Sequence, residues 1–161
     1  VKDTRLSILQ AEIGGEFDSF DDVVTEWENF KTGIDENNLQ SSELRVIGSI
    51  LHDAYTCIEK ILAKIAMAID GELPSGGAWH SDLLDRMSLD IPEIRPRVIN
   101  AELKDQLYDY MRFRHVFRNV YGPKLKPNKM LPLIHSLPQL FLDFKDEINK
   151  FFQNLETITS G

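Results

Sequence analysis

The sequence predicts an all-α protein: an antiparallel, up-and-down four-helix bundle with a connector that carries a short extra helix. Three observations lead there. Apolar residues recur at three- and four-residue steps through long segments, the spacing of a buried helical face. No stretch alternates apolar and polar residues as a half-buried strand would. One connector, rich in Gly and Pro, separates the second long segment from the third, and the remaining turns are short. At 161 residues the expectation is one domain spanning residues 1–161, large enough for a single good core.

The first stripe is Leu6, Leu9, Ile13, Phe17, Phe20, Val24 and Trp27. Gly14-Gly15 interrupts it without shifting its phase, which reads as a bend or a short break. The second stripe runs Leu44, Ile47, Leu51, Tyr55, Ile58, Leu62, Ile65 and Ile69, with Ser41 or Ser42 as its cap and Gly71 as its end. Gly71 to Ile99 is the connector, with one short helix from Trp79 to Met87. The next long helix begins at Asn100, a good N-cap, and Gly122-Pro123 stops it. Ser136 with Pro138 opens the last helix, after an earlier kinked turn over Met130 to His135. Its stripe is Leu137, Phe141, Phe144, Ile148, Phe151, Leu155 and Ile158. Phe152 stands just off that stripe, which fits either a dimer interface or a wide core.

Charge picks out one of these segments. The chain carries a formal net charge of -8, yet residues 111–142 hold no Asp or Glu. The same stretch contains Arg112, Arg114, Arg118, Lys124, Lys126 and Lys129. A charge run on a helix is ordinarily a solvated face. Here it is one-signed over a long stretch and interleaved with His115, Asn119 and Tyr121, hydrogen-bonding groups suited to phosphates. Each helical residue turns about 100°, so Arg114 falls at the edge of the apolar arc, flanked by Tyr110 and Tyr121. A guanidinium keeps its proton and needs a partner there: an internal carboxylate or an incoming phosphate.

Much other chemistry lacks its residues. The histidines are His52, His80, His115 and His135, and none sits in a Glu-x-x-His pair. A zinc spacing, a phosphate-binding Gly-rich loop and a Gly-x-Ser-x-Gly elbow are all missing, so no metal and no cofactor is expected. No apolar run approaches the roughly 20 residues of a membrane span. The lone Cys57, read as an inert buried thiol, and the lack of a signal-peptide pattern set the expectation of a cytoplasmic protein. What remains is metal-independent chemistry by Arg, His, Asn and Tyr, or binding alone.

The segment Phe113-Arg114-His115-Val116-Phe117-Arg118-Asn119-Val120-Tyr121-Gly122 resembles the signature of HepT-like toxins, small all-helical ribonucleases of the HEPN superfamily. The likeness extends to Leu51-His52-Asp53-Ala54-Tyr55, Ile58-Glu59-Lys60-Ile61, Trp79-His80-Ser81-Asp82-Leu83-Leu84 and Arg95-Pro96. It covers roughly residues 40–125. The resemblance implies a toxin of a toxin–antitoxin pair, a homodimer that cleaves RNA without metal, and a minimal nucleotidyltransferase antitoxin that can adenylylate the signature Tyr, here Tyr121. It implies catalytic roles for Arg114, His115, Asn119 and Tyr121. Arg112, Arg118, Lys124 and Lys126 would track RNA phosphates, with Tyr110, Tyr121 or Trp79 stacking on bases.

Asn119 departs from that signature, because the family carries a His at this place. Asn cannot exchange a proton near neutral pH. Three readings follow: activity is lost and binding kept, His115 serves as the base one turn earlier, or a dimer mate supplies one, with His80 a candidate. His52 is expected to pack beside its stripe with Asp53 nearby. The rival to the toxin reading is a non-catalytic binding or regulatory subunit of a nucleotidyltransferase that uses the same arginine-rich helix.

Overall fold

The apolar stripes close on one another in a computed structural model of the chain, which describes residues 3–119 and 124–160. Helix α1 spans Thr4–Phe30, and the side chain of its N-cap Asp3 accepts the Arg5 N–H at 2.9 Å. The helix runs unbroken through Gly14-Gly15, in place of the expected bend or break. Both glycines face solvent, and buried Ile13 and Phe17 hold the helix in phase on either side. Packing of that stripe outweighs the roughly 1 kcal/mol each glycine costs.

Helix α2 spans Ser41–Ile65. Its N-cap is Gln40 and not Ser41 or Ser42, because Glu43 reaches back to accept the Gln40 N–H at 2.8 Å. A π-helical turn, Ala66–Asp70, leads to Gly71 at φ +86°, whose N–H closes on the Ala66 carbonyl at 3.0 Å. Helix α3 is Trp79–Met87, as the connector pattern predicts. Beyond it Arg95 is buried, with Nε and Nη2 on the two Asp70 oxygens at 2.6 and 3.0 Å. This bidentate pair ties the connector to the end of α2.

Helix α4 spans Ala101–Asn119; Asn100 caps it by accepting the Leu103 N–H at 2.7 Å. The expected stop at Gly122-Pro123 lies outside the described residues. Helix α5 spans Pro127–Ser160 and corrects the expected start at Ser136 and Pro138. Pro132 and Pro138 lie inside the helix, and Met130 to His135 is part of it. Buried Met130, Ile134 and Leu137 extend the apolar stripe one turn after another ahead of Phe141, so core packing carries the helix past both prolines.

Contacts between helices fix their directions. Lys64 late in α2 lies 3.9 Å from Glu12 early in α1. On α4, Phe117 lies over Gly48 of α2, while the earlier Arg114 meets the later Glu59. Asn100 donates to Glu147 at 3.0 Å, while Tyr110 donates to the Leu133 carbonyl at 2.6 Å. Phe17 meets Phe144 at 5.7 Å between ring centroids, and Trp27 meets His135 at 6.5 Å. Neighbours in the ring α1–α2–α4–α5 therefore run antiparallel, and α3 packs on α2 and α4. Phe152 is buried within the chain beside Phe151, so the wide core accounts for it. Among the described residues no helix is long and apolar enough to cross a membrane.

Candidate nucleic-acid interface

Glu59 is an acid beside the α2 stripe, next to Ile58, Ile61 and Leu62. It is 7% exposed, and side chains from two other helices, Arg114 and His80, share its carboxylate. Arg114 Nη1 of α4 donates to Oε1 at 3.4 Å, and His80 Nδ1 of α3 lies 2.6 Å from Oε2. The partner of Arg114 is thus an internal carboxylate. Its pairing is incomplete, since Arg114 Nε is buried without a hydrogen-bond partner, as is the Tyr55 hydroxyl. Burial first, and the Glu59 charge second, push the Tyr55 phenol far above its ordinary range, with Arg114 opposing. His80 stacks against Trp79 at 3.8 Å between ring centroids and anchors α3 to α2.

The outer face of α4 differs. Arg112, His115, Arg118 and Asn119 are all exposed. Arg112 pairs with Asp109 at 3.2 Å and stands 5.1 Å over the Tyr108 ring. Asn119 Nδ2 donates to the His115 carbonyl at 2.7 Å, so its amide folds back along its own helix. The His115 ring is left in solvent. His115 and Arg118 are three residues apart, the spacing at which side chains on a helix surface adjoin. Arg114 reaches inward to Glu59 of α2.

Other expected site residues separate from this face. Tyr110 is 1% exposed and its hydroxyl is committed to the Leu133 carbonyl, which overturns its expected role on RNA: no ring face is left for a base. Tyr121 lies outside the described residues. Lys124 and Lys126 are exposed between α4 and α5. Of the remaining expectations, His52 sits 3.1 Å from Asp53 and 5.9 Å from the Phe117 ring. Burial pushes the Cys57 thiol up to about 11, which keeps it protonated and unreactive at neutral pH. Among the described residues no group of three His, Cys, Asp or Glu side chains is placed to hold a metal ion.

Glu59 is the site residue that reading the α4 segment alone misses. Its signal was present: an acid bordering one apolar stripe and an arginine bordering another call for each other. A family model described as HepT-like protein matches residues 46–155, which takes in α2 from its second turn, α3, α4 and most of α5. No curated protein and no solved structure matches the chain.

Proposed function

Since the chain belongs to the HepT-like family, we propose that it is the toxin component of a toxin–antitoxin pair and a metal-independent endoribonuclease whose chemistry sits on the outer face of α4. The observation that carries this reading is the exposed pair His115 and Arg118 at neighbouring positions of one helix face, with Asn119 folded back and out of the way. The roles expected of Arg114 and residue 119 pass to these neighbours. His115 takes the proton of a ribose 2′-hydroxyl, and the 2′-oxygen attacks the adjacent phosphorus. Arg118 steadies the charge on the phosphoryl oxygens, and the P–O5′ bond breaks as the 5′-oxygen takes a proton from water, giving a 2′,3′-cyclic phosphate and a 5′-hydroxyl. Arg112, Lys124 and Lys126 hold flanking phosphates. In this reading the protein works as a homodimer, and a minimal nucleotidyltransferase antitoxin is its partner, with Tyr121 the residue open to adenylylation.

The test is cleavage of a single-stranded RNA pool in EDTA. The parent protein is expected to cut, His115→Ala to abolish cutting with helix content intact, and Arg118→Ala to slow it by about 100-fold. A second reading has its own observation: Arg114 is tied to Glu59, and Asn119 cannot move a proton. In that reading the protein binds RNA or its partner without cutting. The parent is then inert, and Asn119→His creates cleavage, since general acid–base catalysis contributes about 10² to 10⁴-fold.

A further inference from the structure

A groove of about 700 Å³ opens between α4 and the start of α5, on the side of α4 next to the His115 face. Its rim carries Arg112, Lys124, Lys126 and Lys129. Its one acid, Asp109, is already paired with Arg112, and the three lysines have no carboxylate partner among the described residues. The floor is apolar. Val116 is 47% exposed there, and half-buried Leu133 continues the apolar floor from α5. The first turn of α5, with Asn128 and Lys129, lines the same opening and adds the positive end of a helix dipole.

An occupant must therefore be anionic at its edges and aliphatic at its centre. A nucleic acid satisfies only the first condition. Bases are held by stacking on exposed rings and by hydrogen bonds to their edges. Among the described residues lining this groove the one aromatic side chain, Phe113, is 8% exposed and already stacked on Phe117 at 5.8 Å. A peptide helix with an apolar stripe flanked by Asp and Glu satisfies both conditions. In a chain of net charge -8, four cations gathered round one apolar groove form a local complement to such a segment.

We propose that the α4–α5 groove is a docking site for an acidic amphipathic helical segment of a partner protein. Because Arg112 belongs to both the groove and the RNA face, the docked segment also removes a phosphate contact and competes with RNA. The docking half of the proposal does not depend on RNA cleavage.

The probe is a fluorescein-labelled helical peptide with leucines at i, i+3, i+4 and i+7 and glutamates flanking them, read by anisotropy against the whole protein. Binding is expected in the micromolar range. Val116→Asp, and separately Lys126→Glu with Lys129→Glu, are each expected to weaken it by at least about tenfold. All three positions lie on the surface, and an unchanged melting temperature verifies the fold. A peptide of the same composition in scrambled order is expected not to bind. Equal binding of the scrambled peptide overturns the proposal, because charge alone then suffices. So does binding that neither variant changes. If Val116→Asp weakens a single-stranded RNA oligomer as much as the peptide, the groove seats RNA and the proposal falls. If added copies of the unlabelled protein displace the peptide and Val116→Asp abolishes self-association, the occupant is a second copy, which overturns it too.

Discussion

Glu59 decides what Arg114 can do. A carboxylate that is 7% exposed has given up most of its hydration, and among the described residues it is met by Arg114 and His80. Arg114 has in turn given up water at Nε without a replacement there. Removing Glu59 strands the Arg114 charge, and removing Arg114 leaves the buried Glu59 carboxylate with His80 alone. Glu59→Ala is expected to destabilise the fold by about 3 kcal/mol, and Arg114→Ala by a similar amount. The double variant should lose much less than the sum, because no stranded charge remains. Urea denaturation of the four proteins measures this; additivity within about 0.5 kcal/mol would show that the two side chains do not act as a pair. At this scale the sequence carried a choice without its answer. Helical phase put Arg114 at the edge of a buried arc, but whether a carboxylate or a phosphate met it depended on α2, 55 positions away in the chain.

Among the helices, two glycine sites with opposite surroundings separate propensity from packing. Gly48 of α2 is buried beneath Phe117 of α4, and a Cβ there would stand 2.5 Å from the ring. The ring is held by Phe113 on one side and His52 on another, so it has little room to yield. Gly48→Ala is expected to cost about 1–2 kcal/mol despite the better helix former, and Gly48→Ala with Phe117→Leu to recover part of that loss. Gly14 lies on the exposed side of α1, where a Cβ would meet nothing within 4 Å, so Gly14→Ala should stabilise by up to about 1 kcal/mol. Thermal melts read both; a Gly48→Ala protein as stable as its parent would mean that α4 does not rest on α2 as described. Both glycines look alike in the sequence, because the close approach of a second helix leaves no local mark. The long helices are legible, since burial imposes its period directly on the residues. The start of α5 is hidden for the same kind of reason: Pro132 and Pro138 are strong local stop signals, while the stripe that overrides them acts through α1, α2 and α4.

Across the whole bundle, two phenols donate hydrogen bonds that hold α4 to its neighbours, and a third is buried in the core, so all three favour the protonated form. Tyr108 donates to Asp85 of α3 at 2.5 Å, Tyr110 donates to the α5 backbone, and the buried Tyr55 feels the charges of Glu59 and Arg114. Burial, then the bond to Asp85, pushes the Tyr108 phenol up to about 12, and burial drives Tyr55 and Tyr110 higher still. An unfolded tyrosine ionises near 10, so the folded state holds these protons more tightly. The sign follows: their contribution is complete below about pH 10 and is lost as the pH climbs toward the folded values. The urea midpoint is therefore expected to hold from pH 8 to 9 and to fall steadily above pH 10. Lysines titrate in the same interval, so the comparison that isolates the phenol is Tyr108→Phe. That variant is less stable at pH 8, having lost the bond to Asp85, and its midpoint falls less steeply between pH 10 and 11. Parallel curves for parent and variant would mean that Tyr108 ionises alike in both states. The Asp85 bond would then contribute nothing to the fit of α3 on α4.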